Sequence, residues 1–318
     1  MTDQVARAPL VVAVVLTWND TVLTTKCLRS LTESDYPEIR IVLVDNGSVP
    51  QCGPELKLAF PAVHLVQLPE NLGFSGGANR GLEKALEMSA DYIHLIGNDA
   101  TLAPDAISIL VRECEGRPEV GAAGPLLLEP GEKPVVQFYT ASLDRECARH
   151  EHHHVGAAYA RGAWPVVESA FIPCVALLFR ASALRQVGLF DESFGTCWED
   201  FDLCLRLHDA NWKYIAVGDA TAVHIGSYTT GRVSPYIVYY TTRNRLICLH
   251  RYGGRRVWSR KGIYLLRTFW WQVRGYGVGN WACHMAFVRG FFDYVFNVHG
   301  ERRSRSVNRA SGLRQIRM

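Results

Sequence analysis

The stretch LVVAVVLTWNDTVLTTKCLRSL, residues 10–31, holds the transition on which the fold turns. Leu10 to Thr17 is a short apolar, β-branched run; a polar break follows at Asn19-Asp20; then Leu23, Cys27, Leu28 and Leu31 recur at helical spacing. This reads as strand, turn, helix. The unit recurs downstream. Residues 41–44 (IVLV) close in Asp45-Asn46-Gly47-Ser48, residues 63–68 lead into a glycine-rich turn, and residues 92–96 close in Gly97-Asn98-Asp99. Strands alternating with helices predict an α/β fold with a parallel sheet. Ligands of such sheets bind beyond the carboxyl ends of the strands, where loops and helix N-termini converge, and those ends carry Trp18, Asp45 and Asp99.

Beyond residue 120 the regularity fades, with Pro125, Pro130, Gly131 and Pro134 marking turns. The reading is one catalytic domain over 1–235, with a nucleotide half at about 1–125 and an acceptor half at about 126–235. Residues 170–228 are expected to return to strands and one short helix that complete the same sheet. From 236 to 318 the chain reads as a helical region with a basic tail.

With 318 residues and 48% hydrophobic content the chain can bury a full core. A net charge of +3 is too balanced to indicate nucleic-acid binding. The stretch from Arg243 to Arg274 and the tail after His299 are basic, and predict contact with something anionic. Nine cysteines without CxxC spacing, and no signal peptide ahead of the first apolar run, fit a reducing cytoplasm. Arginines at 267 and 274 interrupt the longest apolar stretches, so no membrane-spanning helix is expected.

Several residue types carry chemistry, each with a plainer alternative. Asp45 can accept hydrogen bonds from a ribose or base, or cap the next helix from a turn. Asp99 offers the hard oxygen that Mg²⁺ or Mn²⁺ prefers, or an Asx turn leading to Pro104. The run Asn71-Leu72-Gly73-Phe74-Ser75-Gly76-Gly77-Ala78-Asn79-Arg80-Gly81 lacks the lysine of a Walker A loop and the spacing of GxGxxG. Its glycines bring backbone close to a ligand or let a helix pack on the sheet. In Trp198-Glu199-Asp200-Phe201-Asp202, three carboxylates crowd the start of a helix, where dipole and free amides favour negative charge. Asp200 is the expected general base; Asp202 is expected to pair with Arg206 at i,i+4. His224 is a candidate ligand for Mn²⁺, or a structural histidine. The tract His150-Glu151-His152-His153-His154 has ligand chemistry but falls in an irregular segment, and its role stays open.

Taken in order, VVLTWND, VLVDNGS, ENLGFSGGANRGL, IGNDATLAPD, LFRASALRQVGLFDESF, WEDFDLCLRLHDANWKY, AVHIGSYTTG and YYTTRNRL resemble the family 2 glycosyltransferases, and among them the bacterial rhamnosyltransferase-like branch. The resemblance spans about residues 10–250. It implies a GT-A fold and inverting hexosyl transfer from a nucleoside diphosphate sugar to an acceptor hydroxyl, helped by Mg²⁺ or Mn²⁺. Carried over by position, Thr17, Trp18, Asp45, Gly76, Arg80, Asn98 and Asp99 form the donor-binding set. Asp99 and His224 hold the metal, and Asp200 with Glu199 supplies the base. Gly97 stands where the family's DxD-type motif has its first carboxylate, which puts the strength of metal binding in question.

A Rossmann oxidoreductase should show GxGxxG after the first strand, where this chain has Thr17-Trp18-Asn19-Asp20. A nucleotidyltransferase leaves the acidic helix start at 199–202 unexplained. A catalytically silent sugar-nucleotide-binding or scaffold protein is the remaining alternative. The aromatic and arginine content of 236–298 leaves two contacts open, a homodimer or a membrane surface, with an unknown hydroxyl acceptor, a lipid-linked glycan among the candidates. The expected location is cytoplasmic, peripheral to the inner face of the cell membrane in the second case.

Overall fold

A computed structural model describes residues 7–226, 234–276 and 280–301. The basic tail from 302 and the second half of AVHIGSYTTG lie outside them, as do the side chains of Trp271 and Tyr276.

The opening run forms β1 (Val11–Thr17) and α1 (Thr21–Thr32). Asp20 starts that helix by accepting the Leu23 amide at 2.9 Å, the N-cap geometry its side chain favours. The pattern continues through β2 (Ile39–Asp45), α2 (Gly53–Ala59), β3 (His64–Gln67), α3 (Gly73–Glu87), β4 (Tyr92–Gly97), β5 (Ala100–Leu102) and α4 (Ala106–Glu115). Strands β1, β2, β3 and β4 are parallel, in spatial order β4-β1-β2-β3, as the alternation predicts. Helix α3 lies close on this sheet because Gly81 has no side chain: a Cβ there would come within 2.3 Å of Val14. Packing is therefore one use of the glycine-rich run.

The second half comprises β6 (Val120–Leu128), β7 (Val136–Phe138), β8 (Thr140–Asp144), β9 (Arg149–His153), β10 (Val167–Glu168), β11 (Ala176–Arg180), α5 (Ala181–Val187), α6 (Glu199–Asp209) and β12 (Lys213–His224). Of the stretch 170–228, the described residues to 226 complete the sheet as expected, but with two helices, α5 and α6, instead of one. Strand β11 runs antiparallel between β4 and β6, and β12 lies beside β6. The result is a mixed ten-stranded sheet. Residue 125 lies inside β6, so the sheet is continuous across the nucleotide and acceptor halves. Core residues from Leu10 to Tyr264 form one cluster around it.

The C-terminal region is helical: α7 (Pro235–Tyr252), α8 (Val257–Tyr276) and α9 (Trp281–Val295). Ser234 and Pro235 start α7, the serine hydroxyl accepting the Ile237 amide at 3.2 Å. Both α8 and α9 pack against α7. No helix among the described residues is long and apolar enough to cross a membrane.

Candidate active site

Strand register brings the donor-side residues to one edge. Thr17 stands opposite Asp45 across β1 and β2, and Leu16 opposite Gly97 across β1 and β4. Thr17 is buried, its hydroxyl 2.7 Å from that of Thr24, which also accepts from Asn98 Nδ2 at 3.1 Å. Trp18, one residue further, is 38% exposed. Asp45 has no exposed surface: Oδ1 accepts the Ser48 amide at 3.0 Å, and Oδ2 the amides of Cys52 and Gly53 at 3.0 and 2.8 Å. Burial raises its pKa, but the hydrogen bonds from Ser48, Gly53 and Gln67 outweigh it and hold the carboxyl below its ordinary value. Asp45 thus shapes the loop into α2, the alternative that position alone left open. Gly76 is buried in the first turns of α3. Arg80 lies at the surface, paired with Glu83 and Glu192 at 3.1 Å each.

Asn46 gave no signal in the sequence beyond its place in a turn. Its Nδ2 donates to Asn71 Oδ1 and the Gly73 carbonyl at 3.1 and 2.9 Å, and its Oδ1 accepts the Leu72 amide at 3.0 Å. It ties the N-terminus of α3 to the end of β2.

Asp99 and His224 meet. Strand β5 pairs with β12, placing Ala100 opposite His224, and the imidazole Nε2 lies 3.3 Å from Asp99 Oδ2. Gln137, from β7, fixes the ring: its Nε2 donates to the His224 carbonyl at 3.0 Å, so its Oε1 faces His224 Nδ1 at 2.6 Å. An amide oxygen only accepts, so Nδ1 carries the proton and a neutral ring turns the Nε2 lone pair toward Asp99. A carboxylate oxygen and an imidazole nitrogen this close are a donor pair that would suit a single Mg²⁺ or Mn²⁺. Among the described residues no third His, Cys, Asp or Glu joins them. At Gly97, a Cβ would fall 2.8 Å from Asp99 Oδ1, so the carboxylate of Asp99 uses space beside residue 97.

Cys197 and Trp198 both adopt positive φ, 63° and 72°, immediately before α6. Side chains resist that region, at a cost of about 1–3 kcal/mol each, so the surroundings must enforce it. Helix α7 does so through two buried residues. Asn244 Nδ2 donates to the carbonyls of Phe194, Thr196 and Cys197 at 2.9, 2.7 and 2.7 Å; Arg243 holds those of Ser193 and Gly300 at 3.1 and 2.9 Å. Both residues fall in YYTTRNRL, which gave them no role. A cation beside an amide, between aromatic and aliphatic runs of one helix, was the available signal. The basic stretch from Arg243 to Arg274 needs correction accordingly. Arg243 is spent on carbonyls, Arg245 is stacked on Trp198 and Tyr264, and Arg251 is paired with Asp191 and Asp202, so its first third is internal scaffolding.

The turn delivers Glu199, Asp200 and Asp202 to three environments. Asp202 is 1% exposed and accepts from Arg206 Nε at 2.9 Å, Arg251 Nη1 at 2.8 Å and Tyr252 Oη at 2.7 Å. The i,i+4 pair with Arg206 is the one its spacing predicts. Glu199 is buried, with Oε2 lacking a hydrogen-bond partner; burial, then the charge of Asp200, raises its pKa far above the ordinary value. Asp200 is pushed up to about 6 by burial, against hydrogen bonds from the Phe201 and Cys174 amides that favour the anion. The neighbouring residue, Val175, accepts the Gly97 amide at 2.8 Å, so residues 174–175 link the end of β4 to Asp200.

His150 to His153 of the histidine tract lie in strand β9, paired with β8, and His154 follows at positive φ. His150 stacks on Phe171 at 4.6 Å and on His152 at 5.0 Å. The irregular segment expected there is a hairpin.

The mixed sheet with its parallel half and the acidic start of α6 agree with the GT-A fold that the resemblance implies. The chain belongs to glycosyl transferase family 2, whose family model matches residues 12–186, more than half its length. It is 27% identical over 266 residues to an N-acetylglucosaminyl-diphospho-decaprenol L-rhamnosyltransferase of Mycobacterium tuberculosis, covering 76% of this chain and 86% of that protein. It is 28% identical over 179 residues to a pre-mycofactocin glycosyltransferase of the same organism, covering 54% of this chain and 34% of that one. Among solved structures, GalNAc-T7 with UDP, GalNAc and Mn²⁺ aligns over 92% of this chain and 55% of its own, at a TM-score of 0.63 and 13% identity. A Pyrobaculum calidifontis mannosyltransferase in complex with GDP-Man and Mn²⁺ aligns over 92% and 88%, at 0.54 and 15%. These likenesses are of fold. The rhamnosyltransferase-like expectation is met, and the scaffold alternative gives way to an enzyme.

Proposed function

We propose that this glycosyltransferase moves a deoxyhexose such as rhamnose from a nucleoside diphosphate to a hydroxyl of a lipid-diphosphate-linked sugar, with inversion. The observation that carries the mechanism is the position of Asp200: a half-buried carboxylate at the first turn of α6 that accepts the Phe201 amide at 2.8 Å and whose pKa burial pushes up to about 6. A base of that strength is ionised at neutral pH and still basic enough to take a proton in the transition state. Asp200 accepts the proton of the acceptor hydroxyl as its oxygen attacks the anomeric carbon from the face opposite the diphosphate. One displacement inverts the centre. Glu199 stays protonated beside it, so the pair carries a single negative charge.

Asp99 Oδ2 and His224 Nε2 are the atoms that would hold a divalent cation, which supplies positive charge against the departing diphosphate. Thr17, Trp18, Asn98 and the start of α3 would frame the nucleotide, with Asp45 and Asn46 shaping those loops. Rhamnose and a lipid-linked acceptor follow the Mycobacterium tuberculosis relative, which aligns over most of both chains.

Incubation with dTDP-rhamnose and a short-chain diphospholipid-linked N-acetylglucosamine tests the reading. A disaccharide whose new linkage is inverted relative to the donor is expected. Transfer with retention would sink the single displacement, and no transfer from any nucleoside diphosphate sugar would sink the whole assignment.

A further inference from the structure

Helix α9 has two apolar faces. The inner one is built from small residues: Cys283, Ala286 and Gly290 are buried at helical spacing against α7, and a Cβ on Gly290 would lie 2.7 Å from the Tyr239 carbonyl oxygen. The large residues take the opposite side. Trp281, Met285, Val288, Phe292 and Phe296 recur every three or four positions and are 71, 56, 41, 49 and 71% exposed. Single exposed apolar residues are ordinary, whereas an unbroken stripe marks a contact surface. Helix α8 repeats the pattern, with Ile263, Leu266, Phe269 and Trp270 exposed while Lys261 and Tyr264 are buried.

Charge identifies the occupant. Between residues 253 and 298 the sequence has one acid, Asp293, and that carboxylate is buried and accepts from Tyr239 Oη at 2.7 Å. Arg255, Arg256, Arg267, Arg274 and Arg289 are exposed and form no ion pair among the described residues. A second copy meeting this face about a two-fold axis would press arginines against arginines with no carboxylate between them. An anionic bilayer offers the complement to both features: phosphates for the guanidinium groups and an acyl boundary for the stripe.

We propose that α8 and α9 seat this protein on an anionic membrane surface, with the Trp281–Phe296 stripe in the headgroup layer. The inference stands apart from the transfer reaction, since none of the exposed stripe residues is among the candidate site residues. Co-sedimentation of the whole chain with vesicles tests it, comparing phosphatidylglycerol mixed into phosphatidylcholine with phosphatidylcholine alone. Binding to the anionic vesicles is expected, weakened by salt. It should fall about tenfold or more in Trp281→Glu/Phe292→Glu and also in Arg267→Glu/Arg289→Glu, with thermal midpoint and donor hydrolysis unchanged. Absence of wild-type binding, or binding indifferent to both variants, overturns the proposal. So does a wild-type dimer in light scattering that Trp281→Glu/Phe292→Glu turns into a monomer, because the stripe is then a subunit interface.

Discussion

His224 Nε2 lies 3.3 Å from Asp99 Oδ2 while its other ring nitrogen is held 2.6 Å from Gln137 Oε1. The glutamine decides which nitrogen is free, and so would act on the proposed cation site without touching it. Gln137→Leu removes the acceptor and frees the ring to change tautomer and tilt. We expect Mn²⁺ affinity, read from the metal dependence of nucleotide binding, to fall about tenfold or more, with nucleotide affinity in EDTA unchanged. An equal loss with and without metal would mean that Gln137 only braces β7.

Asp99→Ala should weaken nucleoside diphosphate binding in Mn²⁺ far more than in EDTA, since the carboxylate acts through the cation. Isothermal titration under the two conditions makes the comparison. If wild-type binding is blind to Mn²⁺, the cation site is wrong, and the missing side chain at Gly97 becomes the physical reason.

Asp202 is a structural acid in a catalytic-looking string. Removing it leaves two arginines and a tyrosine without their shared acceptor, but Arg206 and Arg251 are 26 and 35% exposed and can turn to water. Asp202→Ala is therefore expected to cost about 2–3 kcal/mol in urea unfolding, below the 3–5 of a fully buried broken pair. Retained stability with lost turnover would move Asp202 into the chemistry.

Local patterns made the nucleotide half readable: an apolar run ending in Thr17-Trp18-Asn19-Asp20 can hardly be anything but a strand feeding a helix. The pairing of Asp202 with Arg206 was legible for the same reason, since four residues on a helix bring side chains together. What escaped depends on distance along the chain. Gln137 meets His224 across 87 residues, and Asn244 reaches back 47 to the Cys197 carbonyl; no local periodicity encodes either. Asp45 shows a third limit. A strand-end carboxylate looks alike whether it faces a ribose or three backbone amides, and only the path of the loop distinguishes them.

His94 sits in the middle of β4 with no exposed surface and no partner for either ring nitrogen. Burial drives its pKa down to about 3, against an ordinary value of 6.5. The unfolded chain binds this proton first, so stability is lost as pH falls through 6.5 and the loss levels off near 3. His94→Leu abolishes the term. Its unfolding midpoint should hold steady between pH 6 and about 4 where that of the wild type declines. Parallel decline in both proteins would show that other groups govern acid unfolding.

Glu199 and Asp200 differ in which of them yields its proton, and the rate should report it. Glu199 is buried and Asp200 half-buried at one helix start, and Asp200 accepts backbone amides while Glu199 leaves Oε2 unpaired, so the single charge is expected on Asp200. Because burial raises the Asp200 pKa to about 6, the ionised base is depleted below that pH: turnover should climb with pH through about 6 and then level off. Asp200→Asn keeps the shape without the basicity, so we expect kcat to drop roughly 10²-fold or more while donor binding persists. Glu199→Gln supplies the sharper test. A neutral glutamate replaced by a neutral amide leaves the field at Asp200 alone, and the rising limb should stay near 6. Had Glu199 been ionised in the wild type, its removal would relieve repulsion and shift the limb to lower pH, by about a unit or more for neighbouring charges. A limb that moves in Glu199→Gln would therefore reassign the proton, and a near-normal rate in Asp200→Asn would reassign the base.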